Sequence, residues 1–174
     1  MRSFNNYFLY NLFFFTTCIL YFILFFYSSN AYAKFCYKED YINFISDYSG
    51  CLAITVHNNK KTYEELKNKK KLVFFIHGDQ INPKVTYFDK FISNFSSEDA
   101  IIISITRPGW MNNKDHKSDG KTNISNGDNY IPKEDVDPIY RVIKKFKRKY
   151  KINNIIIIGH SGGAAIAGIL YGRF

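Results

Sequence analysis

The residues best suited to chemistry are Gly159-His160-Ser161-Gly162-Gly163. They follow the apolar run Ile155-Ile156-Ile157-Ile158 and lead into Ala164-Ala165-Ile166-Ala167. A serine hydroxyl is a weak nucleophile until a base takes its proton; it can then attack a carbonyl carbon and carry an acyl group. For that it must stand clear of its own backbone. A sharp turn from a buried strand into a helix lifts it clear, with the serine backbone strained and Oγ exposed. Such a turn crowds its neighbours, so small residues must flank the serine, as glycines 159, 162 and 163 do here. The helix beginning there aims its first N–H groups and the positive end of its dipole at any developing oxyanion. The bland alternative is a small residue tolerated in a tight turn.

The elements that would position this serine follow from hydrophobic periodicity. Cys51 to His57 reads as an early strand. Leu72 to Ile76 (LVFFI) is a short continuous apolar run, as a strand buried on both faces would be, and Ala100 to Ile105 (AIIISI) and Asn153 to Ile158 read as a second and a third buried strand. Between them, Pro83 opens a segment in which Val85, Phe88, Ile92 and Phe95 recur at helical intervals. Asp137-Pro138 supplies an N-cap and a first-turn proline for a second helix, with Ile139, Val142, Ile143, Phe146 and Tyr150 on its apolar face. Met111 to Tyr130 is almost devoid of apolar residues and reads as a surface loop or small insertion. This alternation predicts an α/β fold, a mostly parallel sheet with helices on both faces.

The first 33 residues are set apart from that domain. Arg2 precedes an apolar run from about Leu12 to Tyr27, closed by Ser28-Ser29-Asn30 and then Ala31-Tyr32-Ala33. This is the layout of a signal peptide with an Ala-x-Ala cleavage site; the alternative is an uncleaved membrane anchor. Both readings place residues 34–174 outside the cytoplasm, secreted or periplasmic, with the membrane touched only through the N-terminal segment. Cysteine usage agrees. Cys18 lies in the leader, which leaves Cys36 and Cys51 as an even pair, and a disulfide there would stabilise the fold by about 3 kcal/mol. Two buried thiols that never meet are the alternative.

The formal charge of +9 raises the question of nucleic acid, and only Arg2 of it belongs to the leader. The runs Lys67-Asn68-Lys69-Lys70-Lys71 and Lys144-Lys145-Phe146-Lys147-Arg148-Lys149 are the obvious patches. The second, however, coincides with the polar side of the amphipathic helix and reads as its solvated face, so no nucleic-acid partner is expected. No histidine or cysteine spacing suggests a metal site, and no cofactor is expected.

At three stretches in register the chain resembles the α/β-hydrolase family. LVFFIHG looks like the third strand and its His-Gly oxyanion turn, IIISITRPGW like the fourth strand, and IIIIGHSGG like the fifth strand and nucleophile elbow. GDNYIPKEDVD and GHSGGAAIAG look most like exported bacterial hydrolases of the esterase and serine-peptidase branches. The resemblance implies that Ser161 is the nucleophile toward a small-molecule ester or a peptide, and that Gly162 gives one oxyanion N–H. The second N–H falls by position on Asp79, with Gln80 as the alternative. A carboxylate at that turn must point away from an oxyanion or repel it.

In this family the acid and then the histidine follow the serine, yet the thirteen residues after Ser161 contain no Asp, Glu or His. Residues 34–174 are therefore expected to be an incomplete, C-terminally truncated α/β-hydrolase domain, inactive as it stands and with the fifth strand left as a bare edge. Of the four histidines, His77 and His160 read as structural, and His57 and His116 would need another topology to reach Ser161. The other reading, from a different class, is a non-catalytic exported binding module that retains the hydrolase scaffold.

Overall fold

The computed structural model describes residues 36–47, 50–57, 63–92, 94–95, 97–122 and 133–174, all within the unit Lys34–Phe174. The leader, with its reading as signal peptide or anchor, lies outside the described residues. Among the described residues no helix is long and apolar enough to cross a membrane.

Five strands form the sheet: β1 (Phe44–Asp47), β2 (Gly50–Val56), β3 (Lys71–Ile76), β4 (Ala100–Ile105) and β5 (Asn154–Gly159). Their spatial order is β1-β2-β4-β3-β5. The expectation of an α/β fold with a mostly parallel sheet holds in part, for the sheet is mixed. β3 runs parallel to β4 and to β5, but β2 is antiparallel to β4, and β1 is antiparallel to β2. Only residues 48 and 49 join β1 to β2, a connection too short for a crossover, so that pair has to be antiparallel. The strand β1 was not foreseen at all.

Helices cover both faces. Along β3, Leu72, Phe74 and Ile76 face one side and Val73 and Phe75 the other, as a period of two requires. The first side packs against α3 (Lys133–Tyr150) and α4 (Gly162–Tyr171) through Val136, Ile139, Val142, Ile143, Phe146, Tyr150, Ile166 and Leu170. A short helix α1 (Tyr63–Leu66) adds Leu66 to this core. The second side packs against α2 (Tyr87–Ile92) and Trp110. This double burial explains the apolar runs of β3 and β4, whereas β5, expected as a third buried strand, has no fully buried residue. β5 stands at the sheet edge, where Ile156 is 41% exposed.

Several local expectations change. The helix expected from Pro83 begins at Tyr87, because Pro83 to Val85 pairs with Met111 instead: Met111 N–H donates to the Pro83 carbonyl and Val85 N–H to the Met111 carbonyl. Asp137 and Pro138 are not an N-cap and first-turn proline. The helix already begins at Lys133, with Glu134 and Asp135 offsetting its dipole, and Pro138 lies inside it. Asp137 instead pairs with Arg173 at 2.6 Å.

The polar side of α3 is only partly free in solvent. Arg141 pairs with Asp47, Lys145 with Glu39, and Lys149 stands 3.6 Å from the Tyr41 ring centroid, so this side clamps the segment around β1. The first part of the expected surface loop is likewise built in. Ser118 is fully buried, accepting from Ala53 N–H and donating to the Thr106 carbonyl. The Cys36–Cys51 disulfide is present and ties the entry segment to β2.

Candidate active site

β5 ends at Gly159, and α4 begins three residues later. Between them Ser161 has φ 50° and ψ −121°, a conformation that side chains rarely adopt. Two close approaches hold it there. A β-carbon on Gly159 would overlap the backbone of Gly163 and Ala164, and one on Gly163 would overlap the Ile76 carbonyl at the end of β3. The elbow is thus pressed between its own helix and the neighbouring strand, and glycine at 159 and 163 is a steric requirement.

Ser161 is exposed and occupies the N-cap position of α4, yet its side chain makes no capping hydrogen bond. A serine present for capping would accept from the second or third N–H of the helix. Here the Ser161 carbonyl takes the helical bonds, from Ala164 and Ala165, and Oγ has no partner among the described residues. Gly162 is the first residue of α4, so its N–H has no intrahelical acceptor.

The turn after β3 packs directly on this elbow. His160 N–H continues the ladder to the Ile76 carbonyl, and a β-carbon on Gly78 would stand 2.7 Å from the His160 carbonyl oxygen. Gly78 N–H donates to Tyr87 Oη at 3.0 Å, and Tyr87 Oη lies 3.1 Å from His160 Nδ1. Tyr87 of α2 therefore joins the two turns. His77 fills the space beneath, with Nδ1 2.8 Å from the Gly78 carbonyl and Nε2 accepting Arg107 N–H. Burial, reinforced by the Arg107 charge and opposed by the bond to Gly78, pushes His77 down to about 4, so at neutral pH it is an uncharged structural group.

Sequence reasoning brought Ser161, Gly162 and Asp79 together, and the structure places them side by side. A β-carbon on Gly162 would overlap Asp79 Oδ2, so the carboxylate lies against the residue after the serine. Its other oxygen, Oδ1, accepts from Arg107 Nη1 at 2.7 Å. Gln80 is turned elsewhere, donating to the Lys84 carbonyl. Asp79 N–H has no acceptor among the described residues, which leaves it and Gly162 N–H as two candidate oxyanion donors.

Arg107 and Asp135 were missed. Arg107 is buried at the end of β4 and divides its guanidinium between Asp79 and Asp135, the latter at 2.6 Å from the first turn of α3. Burial pushes the Asp135 carboxyl up against the opposing pull of Arg107. The available signal was an arginine before Pro-Gly at a strand end, in a chain that otherwise favours lysine. Nothing in the sequence named its partners.

The remaining histidines are remote. His57 N–H pairs with the Ile102 carbonyl, three residues and about 10 Å short of the sheet's carboxyl edge. Its Nε2 lies 2.9 Å from Ser104 Oγ, and burial with the charge of Lys114 pushes it down to about 4. The His116 ring packs on Phe44 of β1, four strand spacings or about 19 Å from β5. Among the described residues no group of His, Cys, Asp and Glu could hold a metal ion. No protein-family model, no curated protein and no solved structure matches the chain.

Proposed function

We propose that residues 34–174 carry the nucleophile-bearing part of an α/β-hydrolase fold, from an exported serine hydrolase that cleaves ester or peptide bonds through an acyl-enzyme on Ser161. The observation that carries this reading is Ser161 itself: exposed, held at positive φ between a parallel strand and a helix, and uncapped. The strand ordinals add support, since LVFFI, AIIISI and IIIIG are the third, fourth and fifth strands in chain order among the described residues, as the resemblance implies. Ser161 Oγ would attack the carbonyl carbon, while Gly162 N–H and Asp79 N–H receive the developing oxyanion.

Among the described residues no imidazole is hydrogen-bonded to Ser161 Oγ: His160 Nδ1 faces Tyr87 and His77 is buried. The test therefore supplies one. With p-nitrophenyl acetate and added imidazole, imidazole takes the Oγ proton as the Oγ–C bond forms, and p-nitrophenolate leaves with the electron pair of the broken C–O bond. Ser161 should gain one acetyl group by mass spectrometry, faster with imidazole, and Ser161→Ala should gain none at that site. A Ser161 that stays unmodified under these conditions rejects the reading. The same engaged histidines favour a second one, an exported binding module that keeps the scaffold without turnover, and that negative result would support it.

Export is proposed on the leader's pattern together with the disulfide. Expression in a secretion-competent host should yield a product outside the cytoplasm that begins at Lys34. A full-length chain in the cytosol would count against it.

A further inference from the structure

We infer that Asp79 is a specificity-determining residue of this site, favouring acyl groups that carry a cationic ammonium beside the scissile carbonyl; the inference rests on Ser161 being the nucleophile. Asp79, Arg107 and Asp135 form one linked group in which two carboxylates share a single guanidinium, which leaves a net charge of −1. The two ends differ in access. The Asp135 side chain is 4% exposed and that of Asp79 is 58% exposed, so the uncompensated charge meets solvent at Asp79.

Position does the rest. Oδ1 is held by Arg107, which turns Oδ2 onto Gly162, next to the nucleophile. Arg107 Nη1 also lies 3.1 Å from the β-carbon position of Gly162 and offsets part of this charge, and what remains repels a developing oxyanion, which is a cost for any neutral acyl group. An ammonium one or two bonds from the carbonyl would lie within ion-pair reach of Oδ2 and turn that cost into attraction. The site would thus discriminate by charge, as sites do that set an unfavourable element against the wrong ligand.

The test compares two p-nitrophenyl esters of equal length, glycyl and propionyl, in the imidazole-assisted acylation of Ser161 in the 174-residue chain. The measured quantity is the glycyl-to-propionyl ratio, in wild type and in Asp79→Asn. Intrinsic ester reactivity and any general loss of activity cancel when the two ratios are compared. Asparagine still offers Arg107 an acceptor at an exposed position. The ratio should fall about fivefold in Asp79→Asn, the scale of one exposed ion pair, and should fall in wild type with added salt. A ratio unchanged by both the substitution and the salt, with Ser161 acylated, overturns the inference and leaves the nucleophile standing. Acylation by neither ester rejects the nucleophile, and the inference that rests on it falls with it.

Discussion

Gly78 lies against Ser161 so closely that a β-carbon on the glycine would stand 2.8 Å from the serine's own Cβ. The turn after β3 and the elbow after β5 therefore meet backbone to backbone, with no layer of side chains between them. That contact places Asp79 beside Gly162, the residue after Ser161, and it makes the site sensitive to single added methyl groups.

Gly78→Ala should destabilise the domain by about 1–3 kcal/mol through overpacking, since backbone has to shift to admit the methyl. Gly168→Ala is the control, because no atom lies within 4 Å of its β-carbon position. In the interior of α4 it should stabilise by about 0.5–1 kcal/mol. Denaturant unfolding of the two variants should show opposite signs, and a neutral Gly78→Ala would remove the case for the tight contact.

Arg107→Met should cost about 3–5 kcal/mol, because it leaves Asp135 buried without its partner. The deficit should narrow as pH falls through the carboxylate range, where a protonated Asp135 no longer needs the guanidinium. Melting curves of wild type and variant across that range check both statements, and a deficit independent of pH would point to lost packing alone.

Acid should destabilise the fold through His77 and His57. Both are depressed from 6.5 to about 4, chiefly by burial, so between those values the unfolded chain binds protons that the folded chain refuses. Stability from this source is complete above the unfolded value and is lost as pH falls from 6.5 toward 4, by an order of about 3 kcal/mol for His77. His57→Gln should flatten that slope without abolishing it. An equal slope with His57 replaced would assign the whole effect to other groups.

The disulfide prediction is read on thiols. Chain lacking residues 1–33, and with them Cys18, should show no alkylatable thiol until it is reduced. Reduction should lower stability by about 3 kcal/mol. Two reactive thiols in folded, unreduced protein would contradict the bridge.

Much of this structure is local in origin and was legible for that reason. The apolar face Ile139, Val142, Ile143, Phe146 and Tyr150 is buried as its helical spacing required, and β4 spans the residues Ala100 to Ile105 that read as a buried strand. Ser161 was legible because Gly159, Gly162 and Gly163 announce a crowded strand-to-helix turn, although the contact that demands glycine at 163 comes from Ile76 on a separate strand. The sequence by itself determined the alternation of strands and helices, the elbow and the identity of its serine.

Direction and partnership were decided only in three dimensions. The antiparallel approach of β2 to β4 depends on pairing Ile54 with Ile105, fifty-one positions apart, and no period within either strand encodes it. Helix α3 begins before Pro138, where Asp135 can meet Arg107, so a tertiary ion pair fixes a boundary that local capping signals placed later. Asp79 could be named from its place after His-Gly, but the course of its carboxylate follows from a guanidinium that β4 delivers and a glycine that α4 leaves bare. Spacing along the chain specifies which face a residue takes. Which charge meets which depends on the sheet order, and that order is set by burial summed over the whole domain.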